Sequence, residues 1–448
     1  MPSASPADYI ERIRRIAENS GAAEAEVYAE VSTINEVRVR DREVELLQQS
    51  VIQGVGLRVL RDSKIGFMYT TELEPADLNE LILRTIALAA MATPQDENRF
   101  PNQPLPAQGI LDIYDDNIPR MTPAELVPLA RGIEQNAIAA DKRIQSTRDA
   151  RAGVSAQEVY FTNTYIQNQT FRATTCWLSC TAVATDGASR REGSFMDRKR
   201  NFADLVPPIR VGQRAAARAL AKLGAKPVPS TRAPVIFEAE AAAGFLRGLF
   251  GAFSATNVIE GRTFLAAKKG QIVASPLLTI VDDGSLRRGL GSMPFDGEGT
   301  PTRRTPVIDR GALVRFLHNS YSARRYDVPT TGNAVRGYES LPVVGPTNFY
   351  IDRGNAKPED MIKEVSRGLY VTGTAGFGID TVSGQYSQQA EGFWIEKGAL
   401  AAPVEGVTVA GSLDDMLLGI DSVGKDLEYR SNISSPSIRF RELTIAGS

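Results

Sequence analysis

The sequence predicts an α+β fold, with an N-terminal antiparallel sheet carrying helices followed by a mostly β C-terminal region. Two observations carry this. The first hundred residues set long alternating runs between helical ones, and from about residue 235 onward short strands separated by Gly, Pro and Asp turns dominate. No tandem repeat of fixed period interrupts either part.

The elements follow in order. Ser5 as N-cap, Pro6 at the first helical position and Asp8 in the first turn open a helix. Ile10, Ile13 and Ile16 form its apolar stripe and Gly21 ends it. Extended segments come next, "AEVYAEV", "INEVRVRDREVELLQQ", "VIQGVGLRVLR" and "KIGFMYTT", with "RDSK" as the turn between the last two. In "EVRVRDREVEL" the alternation puts Val37 and Val39 on one face and charges on the other. A helix opens at Pro75 in "PADLNELILRTIALAAMA" and completes an α+β unit over 1–92.

A proline- and polar-rich linker, 93–108, leads to a second α+β unit over 109–225, expected to pack with the first as one N-terminal domain. It holds the helix "TPAELVPLARGIEQNAIAAD" and three strands in 156–195, with turns near Asn163 and Asp186-Gly187. The helix "VGQRAAARALAKLGA" closes it at Gly224, and "KPVPSTRAP" is a second linker. The C-terminal β-rich domain spans 226–448, with short helices at 239–253 and 358–368.

Composition narrows the function. A chain of 448 residues with net charge −2 has no basic excess to meet nucleic acid. No apolar run reaches the roughly 18 residues that span a bilayer, and "MPSASPADYIERIRRIAENS" lacks a signal peptide's apolar core. A cytoplasmic protein with no membrane and no nucleic-acid partner is expected. Cys176 and Cys180 lie four apart on a strand, roughly 13 Å from each other, too far for a disulfide or a shared metal, so both read as packing residues. His318 is the only histidine. Zinc enzymes and Ser-His or Cys-His catalysts need more, or need one well placed. His318 reads as a packed residue near a strand end.

"GIDSVGKD" (419–426) approaches a phosphate-binding loop, but Asp426 stands where a hydroxyl must meet magnesium. "GTAGFGID" (373–380) lacks a following helix, and no GxSxG is present. In "TIVDDGSLRRGLGSMPFDGEGTPTRR", Asp282, Asp283, Asp296 and Glu298 alternate with arginines among glycines. This pattern reads either as a solvated, salt-bridged hairpin region or as a long loop organising a cleft. On the helix "EAEAAAGFLRGLFGAF" (238–253), Phe245, Leu246, Leu249, Phe250 and Phe253 form one stripe. Glu240, Gly244, Arg247, Gly248 and Gly251 fall opposite, so a strand, a ligand or a partner chain is expected to approach that face. Glu238 and Glu240 suit the helix N-terminus.

Over nearly its whole length the sequence resembles the TldD/PmbA family, also called modulators of DNA gyrase, and within it the PmbA (TldE) branch. The resemblance rests on "QGVGLRVLRDSKIGFMYTTELEPADL", "LTIVDDGSLRRGLGSMPFDGEGTPTRR", "SYSARR", "TGNA", "SGQYSQQAEGFWIEKGALAAPVEGVTVAGSLDDM" and "GKDLEYRSNI". It implies a metalloprotease-like C-terminal domain. Catalytic members carry HExxxH and a C-terminal cysteine around zinc, and pair with PmbA-type subunits into a chamber that cuts unfolded peptides. Here the HExxxH positions fall on Ala239, Glu240 and Gly244, so both histidines are gone, and "RSNISSPSIRF" has no cysteine. Zinc in a protein site contributes about 10–16 kcal/mol over about four ligands, so losing two removes about half. No catalytic residue, metal or cofactor is therefore expected in this chain, with zinc confined to a TldD-like partner.

The expected role is a non-catalytic subunit of a heterodimeric zinc peptidase, binding unfolded peptide and self-associating as a homodimer when the partner is absent. The groove candidates are Asp282, Asp283, Asp296 and Glu298, with Gly384 and Tyr386 of "SGQY". Two alternatives stand beside this role. One is an autonomous peptidase using Asp282, Asp283 or Glu298 around an oxygen-liking metal. The other is a regulatory protein acting on a toxin–antitoxin or gyrase-linked system.

Overall fold

A computed structural model of the chain describes residues 6–102, 109–187, 189–376 and 378–447. Ser5, the end of the 93–108 linker and Phe377 of "GTAGFGID" lie outside the described residues. The first helix, Pro6–Asn19, buries Ile10 and Ile13 and half-buries Ile16, and Gly21 follows it at φ 109°.

Segments on both sides of the 93–108 stretch build one antiparallel sheet of six strands. Their spatial order is Lys64–Thr70, Glu43–Arg61, Glu24–Arg40, Ile144–Asn163, Gln169–Asp186 and Ser189–Lys199. Strand Glu24–Arg40 holds it together, because its odd-numbered apolar residues face one side throughout. Val27 packs with helices Pro6–Asn19 and Pro75–Met91, whereas Val37 and Val39 pack with Pro123–Ile138 and Pro208–Ala221. The four helices therefore cover one face. On the other face Tyr28, Val159 and Phe161 meet Phe295 of the C-terminal region.

Several boundaries differ from expectation. "INEVRVRDREVELLQQ" is two strands, because Asp41 and Arg42 at φ 51° and 66° make a tight hairpin turn. "AEVYAEV" and "INEVRVR" fuse into one strand. The strand expected from residue 156 begins at Ile144, and Thr231–Phe237 starts inside the segment read as a second linker. The helix expected over 358–368 stops at Lys363, since Arg367–Ala375 is a strand. Helices Ala255–Ile259, Ser320–Arg325 and Leu413–Leu418 give no clear signal in the sequence.

In the C-terminal region Arg367–Ala375, Thr231–Phe237, Ile438–Ala446, Ala399–Ser412 and Gln385–Glu396 pair in that order. Gln385–Glu396 pairs back on Arg367–Ala375, which closes a barrel. A second sheet runs Ala312–Leu313, Arg304–Asp309, Ile280–Asp283, Phe349–Ile351 and Ile433–Ser434. Phe245 joins Phe237, Tyr386 and Phe440 edge-on, with ring centroids 5.6–6.1 Å away. That cluster fixes helix Ala239–Leu249 to the barrel. Among the described residues no helix is long and apolar enough to cross a membrane.

Candidate functional site

Helix Ala239–Leu249 starts one residue after strand Thr231–Phe237 ends. Ala241, Ala242, Phe245, Leu246 and Leu249 are buried, which is the expected stripe extended by two alanines. The opposite face is approached by a strand, but at one glycine only. A Cβ on Gly248 would stand 2.2 Å from Cδ1 of Ile379, in strand Ile379–Asp380. A Cβ on Gly244 would meet Thr374 Oγ1 at 3.8 Å, and one on Gly251 would meet Asn257 Nδ2 at 3.3 Å. Close approach explains Gly248 alone.

The N-terminal turns of this helix wall a cleft of about 1040 Å³. Its floor is the helix-free face of the N-terminal sheet. On strand Gln169–Asp186, Thr175, Trp177, Ser179 and Thr181 point into the cleft, while Cys176, Leu178 and Cys180 point into the core. Burial pushes both thiols up to about 12, so neither cysteine is a thiolate. The Trp177 ring lies against Gly153, where a Cβ would come within 2.2 Å of the indole. The far wall includes Ile433–Ser434, which among the described residues pairs with Phe349–Ile351 and whose Ile433 N and O are both held by Ser431 Oγ.

Charge in the cleft is organised around Glu240. Its carboxylate takes Arg218 Nη1 on one oxygen and Arg430 Nη1 on the other, each at 2.8 Å. Both guanidiniums also lie over the Phe195 ring, 5.5 and 5.4 Å from its centroid. Burial pushes the Glu240 carboxyl up, but the hydrogen bonds and charges of the two arginines outweigh it and hold the group below its ordinary value. Glu238 goes the other way, raised chiefly by burial. Arg151 is neutralised by Glu36 and Asp149, and Asp426 accepts from the backbone and hydroxyl of Ser437.

This geometry does not fit a zinc ion. Ala239 offers a methyl group, Gly244 offers nothing and does not line the cleft, and Glu240 has both oxygens engaged by cations that repel a dication. Among the described residues no group of three His, Cys, Asp or Glu side chains is placed to hold a metal.

The other candidates lie elsewhere. Asp282, Asp283, Asp296 and Glu298 are all buried rather than in a solvated hairpin region, and none lines this cleft. Asp282 accepts from Thr347 N and Oγ1 and from Asn333 Nδ2, while Asp283 accepts from Ser285 N and Oγ. Asp296 accepts from the backbone of Glu298, Thr300 and Ala334. Glu298 accepts from Ser320 N and pairs with Arg58. Held in this way they organise a loop, and among the described residues they form no group of three placed to hold an oxygen-liking metal. Gly384, at φ 73°, closes a turn onto Asp380 O, and Tyr386 is a core ring against Phe237 and Phe245. His318 is buried, and burial lowers it to about 4. It directly follows Leu317, which bridges Ser254, and comes just before helix Ser320–Arg325. In "GIDSVGKD", Ile420–Val423 is a strand, and among the described residues no helix follows it.

Sequence reasoning finds Glu240 and misses Arg218, Arg430, Trp177 and the Ile433–Ser434 strand. The arginines lie 22 and 190 residues from Glu240, and although Arg430 falls in "GKDLEYRSNI", nothing in that segment points to Glu240.

Family models match along the chain in three parts. PmbA/TldA metallopeptidase domain 1 matches residues 25–89, the central domain 116–223 and the C-terminal domain 230–447. The metalloprotease PmbA of Escherichia coli O157:H7 is 32% identical over 423 residues, covering 94% of this chain and 92% of that protein. The chain belongs to the PmbA/TldD metallopeptidase family. Its relatives there include the metalloprotease TldD homolog of Haemophilus influenzae, 26% identical over 88% of this chain and 87% of that one. Among solved structures, a candidate modulator of a DNA gyrase from Thermotoga maritima superposes with TM-score 0.89 at 27% identity, covering 98% of this chain and 99% of that one. TldE from Thermococcus kodakarensis superposes with TM-score 0.88 over 98% of this chain and 100% of that one, and at 24% identity it speaks for the PmbA/TldD fold alone.

Proposed function

We propose that this chain is a non-catalytic, peptide-holding subunit of a cytoplasmic zinc peptidase, paired with a TldD-like chain that carries the metal. The observation behind it is the clamp of Arg218 and Arg430 on Glu240, beside Ala239 and Gly244, where catalytic relatives are expected to carry zinc ligands. A carboxylate held by two guanidiniums is a poor general base, and without a metal no bound water is acidified for it. The cleft instead suits an extended, unfolded peptide. It has a hydroxyl-rich floor with one indole against which a neutral peptide side chain can lie. Relatives named PmbA and TldD both match this chain along most of its length, so one family holds two related kinds of chain that could pair. No cofactor is assigned to this chain.

The test is reconstitution. The purified chain is mixed with a TldD-like chain from the same genome, and co-elution and cleavage of an unfolded peptide are measured. Co-elution with cleavage well above that of the TldD-like chain alone supports the reading. Separate elution with unchanged cleavage overturns it.

A further inference from the structure

The cleft contains two arginines that no carboxylate neutralises. Arg198, near the end of strand Ser189–Lys199, is the cross-strand partner of Trp177. Its Nε is buried without a hydrogen-bond partner, and its Nη2 reaches only Met196 Sδ at 3.7 Å. Arg247, exposed on the last turn of helix Ala239–Leu249, contacts Ser431 Oγ at 3.3 Å. Among the described residues neither has an acidic side chain within ion-pair distance. Arg151, Arg218 and Arg430 in the same cleft each have two. A guanidinium nitrogen withdrawn from water and left unpaired is a donor in want of an acceptor.

We infer that Arg198 and Arg247 form an anion subsite whose ligand is a carboxylate of an unfolded peptide, either its C-terminus or an Asp or Glu side chain. This rests on the peptide-holding role proposed above and adds what the cleft selects. The remaining lining argues for a single charge on a neutral chain. Glu238, Asp426 and Glu428 share the cleft and would repel a polyanion such as a nucleic acid. Trp177 beside Arg198 supplies an apolar face for the residue next to the carboxylate. Planar guanidinium and planar carboxylate match in two parallel hydrogen bonds, which a lysine cannot reproduce.

The experiment uses the purified full chain and three short, unstructured, rhodamine-labelled peptides, otherwise neutral. One ends in a free carboxylate, one in an amide, and one in an amide with a single internal glutamate. Binding is read by fluorescence anisotropy at low salt. At least one carboxylate peptide is expected to bind about tenfold tighter than the neutral amide, and which one does so separates a C-terminal from a side-chain source. The preference should vanish in Arg198→Gln and Arg247→Gln and be partly kept in the Lys variants. The affinity for the neutral amide should stay unchanged, reporting an intact cleft. Equal binding of all three peptides, or a preference that survives both Gln variants, overturns the anion subsite while leaving peptide holding in place. Binding of none of them overturns both.

Discussion

Glu240 and Asp282 are two carboxylates whose surroundings give them opposite character. Glu240 is half-exposed between two guanidiniums that are themselves about a third exposed, so the attraction is screened. A double-mutant cycle between Glu240→Gln and Arg430→Gln, read by urea unfolding, should give a coupling below about 1 kcal/mol. A coupling several times larger would mean that the pair is dry and structural. Asp282 is buried, and although three hydrogen bonds favour its charged form, burial raises it to about 6. Its folded pKa thus lies above the unfolded value of about 3.9, so this group's contribution to stability is full below about pH 4 and falls as pH rises to about 6. Unfolding experiments at about pH 4.5 and about pH 7.5 should therefore show Asp282→Ala costing more at the lower pH. Equal costs would contradict that sign. At this scale the sequence makes the position of Glu240 legible but not its environment, because Arg430 reaches it only through tertiary folding. The acids of 282–298 read as plausibly solvated because they alternate with arginines. In the fold, backbone donors, the side chains of Ser285, Asn333 and Thr347, and Arg58 claim them instead.

Alternation and capping residues make most of the N-terminal elements readable. Val37 and Val39 mark the helix-covered face, and Pro75 and Pro123 open helices as their fixed φ requires. What alternation cannot reveal is where a long run folds back. The Asp41-Arg42 turn has no glycine, so nothing local distinguishes it from the charged face of a continuing strand. Barrel closure is equally silent, since Thr231–Phe237 pairs with Arg367–Ala375 and Ile438–Ala446, both far later in the sequence. Packing between elements is specified by small residues whose role appears only in contact. At Gly193, on strand Ser189–Lys199, a Cβ would lie 2.1 Å from Ala219 N and 2.5 Å from Ala215 O of helix Pro208–Ala221. Neither is a side chain that can swing aside. Gly193→Ala should cost about 1–3 kcal/mol by displacing that helix, measured as a lower urea midpoint with an unchanged slope. A neutral result would show that the helix is not seated on the strand as described.

Across the whole molecule, the N-terminal sheet and the C-terminal region are tied together on the sheet's helix-free face. Arg58 and Arg336 both bind the fully buried Glu26, at 2.7 and 2.6 Å, and Arg58 also reaches Glu298. Glu26 and Arg58 belong to neighbouring strands, whereas Glu298 and Arg336 come from the C-terminal region. Such a buried network adds little net stability but is costly to break, which makes it a means of fixing one arrangement. The same face, further along the sheet, floors the cleft, and Arg218 and Arg430 span it from the two regions through Glu240. Under the role proposed above, this frame holds peptide and does not cut it. Incubating the isolated chain with zinc and an unfolded peptide, with and without chelator, tests this most directly. The account predicts no cleavage above buffer in either condition, and zinc-dependent, chelator-sensitive cleavage by this chain alone would contradict it.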